Sequence, residues 1–350
     1  MAINAISGYK EDDELHYLSK EDQRLVADFL TDEERFNSEE TARKKRIALR
    51  PFVAFLEGRE IATLEEVAPS DFKKYIARSI RDDYAPPTIK TRFGAVSTLY
   101  TWLVNEDELP EGFDIKDRIT RRQREYMTGR TRKEENIPEE YYLTAGEVNE
   151  LIENVPSPKL RNRLVIKLLF HCGLRRGECA TIKLDNIHRD DRSITVTNLK
   201  AGKNQPLTRK AYYGQEIETL LTAWINGGDR NALYMADSSE YLFPTHKTEH
   251  LSGNRINWVV KTAADNARLQ GKIGYTDKGG NEKLKITAHT LRHSFAVHCV
   301  RSDTGEGSMD IKTLADLMGH ADMSTTQKYL RFRDERRKDA ANRFGPRSGK

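Results

Sequence analysis

Between Lys116 and Lys133 the chain changes character, and this break constrains its fold more than any other feature. Lys116, Arg118, Arg121, Arg122, Arg124, Arg130, Arg132 and Lys133 are answered there only by Asp117 and Glu125, apolar periodicity vanishes, and Gly129 interrupts. A stretch with so little to bury reads as a linker between domains. The whole chain has 350 residues, enough for two domains at roughly 100–200 residues each. The expected division is a helical domain over 1–115 with an acidic N-terminal segment, a basic linker over 116–142, and a second domain with a C-terminal tail over 143–350.

The first domain is patterned as helices. Ser38 can cap a helix running through Arg50, with Ile47, Leu49, Phe52, Phe55 and Leu56 near 3–4 spacing and a possible kink at Pro51. Ser70 precedes a second segment carrying Phe72, Ile76 and Ile80, and Pro86-Pro87-Thr88 opens a third through Trp102 and Leu103. Lys90 and Arg92 lie near the start of that last helix, where an N-terminus and nearby cations suit a phosphate. A solvated charged face explains them equally well.

The second domain starts sharply. Thr144-Ala145-Gly146-Glu147 fits a capping box, and Leu143 and Val148 can form its hydrophobic staple. A buried helix through Leu164–Phe170 ends at Gly173. The alternating, β-branched run from Arg192 to Leu199 predicts a strand, Lys200–Asn204 a turn, and the residues after it a second, less regular strand. Helices are expected over 214–226, 253–268, 289–300, 310–319 and 325–342, with a loop or hairpin over 271–283. The fold class is therefore mainly α with a small β-sheet.

Composition excludes several classes. Lys and Arg number 58 against 54 Asp and Glu, a net charge of only +4. The sum hides polarity along the chain, since acids crowd the first forty residues while bases gather in the linker and tail. Three cysteines without a CxxC argue against a disulfide framework or a cysteine zinc site. The N-terminus lacks the pattern of a secretory signal, and no apolar run approaches a membrane span. The expected compartment is the cytoplasm, in association with the nucleoid.

Chemistry concentrates near the C-terminus. On a helix, His289, Arg292 and His293 fall beside an apolar stripe of Leu291, Phe295 and Cys299. His289 and His293 have the spacing of a zinc-protease helix, but Thr290 stands where the catalytic Glu belongs and Arg292 would set a cation beside the metal. No metal and no other cofactor is expected. Gly319 reads as a helix C-cap leaving His320 in the turn, Ser324–Gln327 as a new capping box, and Tyr329 follows His320 by nine residues. Upstream, Glu178 can hold Arg175 by a charge-assisted bond across three residues.

This ordered set resembles the tyrosine recombinases, the phage-integrase and Xer-like site-specific DNA recombinases. It comprises Gly173-Leu174-Arg175 with Glu178, the hairpin Lys200, His289-x-x-Arg292-His293, Leu317-Met318-Gly319-His320, and Tyr329. The resemblance covers about residues 143–342 as a catalytic domain and 35–106 as a core-binding domain. It implies that Tyr329 attacks a scissile phosphate to form a 3′-phosphotyrosyl link. Arg175 and Arg292 would clamp the phosphate oxygens, and Lys200 would be the general acid, with Lys203 its rival. His289 and His320 would bond the phosphate and move the Tyr329 proton. His293 would be a structural neighbour and Glu178 a support. The partners implied are double-stranded recombination sites, bound as a homotetramer assembled on DNA from a monomer or weak oligomer. Accessory DNA-bending or directionality factors could assist. The basic residues of 118–132 would track DNA between the two domains. A type IB topoisomerase-like nicking activity and a non-catalytic DNA-binding regulator are the competing readings.

Overall fold

The computed structural model describes residues 16–110, 113, 115, 119–128, 141–198, 208–276, 282–301, 309–320 and 322–332. The chain divides into two compact units, Met1–Ile137 with Gly274–Glu282, and Pro138–Ile273 with Lys283–Lys350. It is mainly α-helical with a small three-stranded antiparallel sheet.

In the first unit, four helices surround an aromatic core: α1 (Lys20–Phe36), α2 (Glu39–Glu57), α3 (Pro69–Arg81) and α4 (Pro86–Asn105). Ser38 caps α2 by accepting from the Thr41 amide, and Pro51 sits inside that helix. The start of α3 differs from expectation. Ser70 lies within the helix, and the cap is made by Asp71, whose carboxylate accepts the Ala68 N–H at 3.1 Å. Phe52, Phe72, Tyr75 and Tyr100 pack edge-to-face and stacked, with Phe72 and Tyr100 ring centroids 5.0 Å apart. Helix α1 is not evident from the acidic N-terminal composition. It buries only Val26, Phe29 and Leu30 of its apolar residues.

Part of the expected linker is structured. Arg121–Thr128 forms helix α5, and Ile115, Ile119 and Met127 are buried in the same core as α2 and α4. Within the expected linker, this helix is docked on the core of the first unit. Three apolar side chains, too sparse to show a period, suffice to dock it.

The second unit is built on α6 (Ala145–Glu153) and α7 (Lys159–His171), followed by the short α8 (Arg176–Ala180). Thr144 and Glu147 make the expected capping box, Thr144 accepting the Glu147 amide and Glu147 accepting the Thr144 amide. Leu164, Val165, Ile166, Leu168 and Leu169 of α7 are wholly buried, each contributing about 2 kcal/mol of apolar burial. Strands β1 (Ile187–His188), β2 (Ser193–Thr197) and β3 (Thr208–Tyr212) pair antiparallel in that order, with Ile194 opposite Ala211 and Val196 opposite Arg209. Helices α9 (Gln215–Asn226) and α10 (Gly253–Asn266) follow; over the expected loop or hairpin the chain forms a two-stranded sheet of β4 (Lys272–Thr276) and β5 (Glu282–Leu284), of which Gly274–Thr276 and Glu282 are grouped with the first unit. Helices α11 (Ala288–Arg301), α12 (Ile311–Met318) and α13 (Ser324–Gln327) close the unit. The α13 start also departs from expectation: Ser324 does not cap it, and Asp322 instead accepts the Ser324 amide.

Candidate active site

The site is assembled where three chain turns meet α11. The first turn ends α7. Gly173 has φ +58°, and a Cβ placed on it would lie 2.4 Å from Cδ1 of Phe295 on α11. Only glycine satisfies both the left-handed backbone and this close approach. The approach brings the Gly173 carbonyl to Arg292, whose Nη1 donates to it at 2.5 Å.

The second turn is the end of α12. Gly319 adopts φ 61°, ψ 47°, the left-handed C-cap that the sequence predicts. Helix ends leave carbonyls without partners, and two of them are taken by arginines. Arg292 Nη2 donates to Met318 O at 2.5 Å, and Arg175 Nη2 to Gly319 O at 2.9 Å. The negative end of the helix dipole thereby orients two guanidiniums side by side. Helix α11 itself is buried on more sides than the expected stripe: Leu291, Arg292, Ser294, Ala296, Val297 and Val300 are all buried, while Phe295 and Cys299 are only half-buried.

The third turn starts α8. Glu178 is buried, and its Oε1 receives Arg175 Nη1 at 2.6 Å while its Oε2 receives the Arg175 amide at 2.8 Å. Oε2 also receives Arg209 Nη2 at 2.8 Å and lies 3.8 Å from Arg292 Nη1. Three guanidiniums thus converge on one carboxylate. Arg209 was not singled out from the sequence. In the paired strand it shares a face with the buried Ala211, a register that the sequence alone does not show.

Tyr329 is 2% exposed, within a cluster that includes Val297, Met318 and Phe332. Its hydroxyl lies 3.3 Å from Nδ1 of His293, the histidine expected to be a structural neighbour. Burial raises the phenol to about 12, opposed by the charges of Arg292 and Arg331. His320 bonds Thr326 Oγ1 through Nδ1 at 2.8 Å, and Thr326 is fully buried. Burial, then the Arg292 and Arg175 charges, pulls His320 down to about 4, so it is neutral near pH 7. His293 is pulled to about 4 by burial and then by Lys328 and His289. His289 is exposed on α11.

The structure therefore brings Arg175, Glu178, Arg292 and the turn bearing His320 together, and pairs Tyr329 with His293. Lys200 and Lys203 lie outside the described residues, as do Arg118, Arg130, Arg132 and the tail from 333. In the first unit, Lys90 is exposed on α4 and the Arg92 guanidinium lies 4.0 Å over the Tyr84 ring. On α5, Arg121 pairs with Glu125 at 2.8 Å, and Arg122 and Arg124 are exposed. Among the described residues, no three His, Cys, Asp or Glu side chains gather to hold a metal ion, and no helix is long and apolar enough to cross a membrane.

Residues 141–336 match the model of the phage integrase family, and residues 32–107 match that of the phage integrase N-terminal SAM-like domain. The chain belongs to the phage integrase, or tyrosine recombinase, family. Tyrosine recombinase XerA of Pyrococcus furiosus is 32% identical over 204 residues, spanning 57% of this chain and 60% of that protein. Tyrosine recombinase XerC of Halalkalibacterium halodurans is 25% identical over 323 residues, spanning 90% of this chain and 94% of that protein. Among solved structures, the XerH site-specific recombinase bound to palindromic difH substrate in a post-cleavage complex is 18% identical with a TM-score of 0.63, covering 94% of this chain and 92% of that one. A lambda integrase dimer bound to a COC′ core site is 15% identical with a TM-score of 0.59, covering 94% and 79%. These two likenesses concern the fold.

Proposed function

We propose that this family member is a site-specific DNA recombinase in which Tyr329 is the nucleophile. Its hydroxyl oxygen attacks the scissile phosphorus, the bond from phosphorus to the 5′-oxygen breaks, and a 3′-phosphotyrosyl bond forms. The phenolic proton leaves to a neighbouring imidazole, and the departing 5′-oxygen takes a proton from Lys200, with Lys203 the rival donor. A 5′-hydroxyl from a second strand reverses the step, so no phosphodiester energy is lost and neither ATP nor a metal is required. The observation carrying this reading is the pair of guanidiniums, Arg175 and Arg292, fixed on the adjacent carbonyls of Gly319 and Met318. Two planar donors held without further reorganisation suit a phosphate whose negative charge grows in the transition state.

The hydroxyl is covered in this arrangement, so the reading requires the turn carrying Tyr329 to shift when DNA binds. His289 and His320 then flank the phosphate, with His293 releasing the hydroxyl. Lys90, Arg92 and the arginines of 118–132 bind the DNA backbone, and the chain acts as a tetramer on two recombination sites in integration, excision or resolution. A nicked suicide duplex carrying the recombination site should trap a covalent product with the wild-type protein and none with Tyr329→Phe, while DNA binding persists. Covalent product with Tyr329→Phe would show that another side chain is the nucleophile. Neutralising arginines in 118–132 should flatten the salt dependence of binding by about 0.9 per lost phosphate contact.

A further inference from the structure

Arg209 has the geometry of a working residue rather than of a structural ion pair. Its side chain is 9% exposed, and Nη2 donates to Glu178. Its Nε and Nη1 are buried and have no hydrogen-bond partner among the described residues. Leaving such donors unspent costs free energy that a structural role would not require.

The charge count points the same way. Arg175, Arg209 and Arg292 surround Glu178 at 2.6, 2.8 and 3.8 Å. Three positive charges meet one negative charge, and burial holds both Arg209 and Arg292 below their ordinary values. One arginine would have neutralised Glu178. A buried surplus of this sign is costly unless an anion completes it. A phosphodiester brings one negative charge, and the pentavalent arrangement formed during attack carries a second.

Gly319 makes room for this arrangement. A Cβ there would lie 2.7 Å from Arg209 Nε and 3.7 Å from Arg175 Nη1. The left-handed glycine therefore lets two guanidiniums close on the same turn. Any other residue would separate them.

We propose that Arg209 is a positioning residue of the phosphate site: through Glu178 and across Gly319 it holds Arg175 and adds the charge that matches the transition-state phosphate. This rests on the phosphoryl-transfer reading above. It predicts that an oxyanion site exists before DNA arrives.

Inorganic phosphate is the first probe. At about 50 mM phosphate, the wild-type protein should melt about 3 °C higher than in chloride of equal ionic strength. Arg209→Met should lose that increment and Arg209→Lys should keep part of it. Absence of the increment in wild type, or its persistence in Arg209→Met, overturns the proposal.

The second probe is the suicide duplex, made with a scissile phosphate or with an uncharged methylphosphonate. Arg209→Met should slow covalent capture of the phosphate duplex about 100-fold, and the gap should shrink to less than about threefold on the neutral duplex. An equal slowing on both, the mark of a purely structural role, overturns the proposal, as does no slowing. A wild-type protein that captures neither duplex refutes the recombinase reading itself. Should Arg209→Met not fold, Arg209→Lys carries the same comparison, with a smaller loss on the charged duplex only.

Discussion

The Tyr329 hydroxyl and Nδ1 of His293 lie 3.3 Å apart, with ring centroids 5.2 Å from each other, inside a buried cluster closed by Phe332. That separation is long for a hydrogen bond to a hydroxyl, so it contributes little to stability. Most of what holds Tyr329 is the burial of its ring. Tyr329→Phe should therefore change stability by less than about 1 kcal/mol, a shift of no more than about 3 °C in melting temperature, while removing covalent capture entirely. His293→Ala deletes the ring that packs on both Tyr329 and Phe332, and should cost about 2 kcal/mol. A Tyr329→Phe variant that melts far below wild type would mean the hydroxyl is a structural anchor.

The two half-buried imidazoles set a pH dependence. His293 and His320 are both pulled to about 4 in the folded protein, chiefly by burial, whereas an imidazole in the unfolded chain titrates near about 6.5. Between these values the unfolded chain binds more protons than the folded one. Stability is then fully present above about pH 6.5 and falls as the pH drops toward about 4. Melting temperature should be flat from pH 8 to 7 and decline steadily below 6.5. His320→Gln, which keeps a polar side chain near Thr326, should show a shallower decline. Identical slopes for the two proteins between pH 6.5 and 5 would exclude His320 from this linkage.

Local rules account for much of this architecture. The Thr144 capping box, the αL turn at Gly319 and the ion pair of Glu178 with Arg175 each follow from residues within three or four positions of one another. What depends on distant partners was harder to read. Arg121–Thr128 looks like linker because its anchors, Ile119 and Met127, are few, and their value comes from a core formed by other helices. Arg209 sits 31 residues from Glu178, in a strand whose register becomes visible only once β2 is paired with it. Tyr329 was found by its spacing from His320, but its choice of His293 depends on packing between α11 and the turn after α13. Resemblance supplied the expected roles, and the fold supplied the partners.

The junction at which the second unit begins carries its own test. Leu143 is fully buried, its N–H donates to Ser294 Oγ at 2.8 Å, and its carbonyl accepts from His298 Nε2 at 2.8 Å. Both partners lie on α11, the helix that carries Arg292. Ser294→Ala leaves the buried Leu143 amide unpaired, at about 1–3 kcal/mol, and removes little volume. Thr144→Ala should cost about 1 kcal/mol through the lost cap. Chemical denaturation should rank Ser294→Ala below Thr144→Ala in stability, and the reverse order would mean the amide finds another acceptor.

Gly173 makes the sharpest structural demand near the site. Alanine there meets two penalties: a left-handed φ of +58° and a Cβ 2.4 Å from the Phe295 ring. The backbone strain alone costs about 1–2 kcal/mol. Either the half-buried Phe295 ring swings aside or the turn moves away from α11, the helix that carries the Arg292 guanidinium bonded to the Gly173 carbonyl. Gly173→Ala should therefore destabilise by more than about 3 kcal/mol and reduce covalent capture in whatever fraction still folds. Phe295→Leu introduced alongside relieves the clash but not the dihedral, so the double variant should recover roughly half of the lost stability. The coupling between the two substitutions, read from a double-mutant cycle, should exceed about 1 kcal/mol. Strict additivity would mean that the ring does not set the position of this turn, and that Arg292 is aimed by α12 alone.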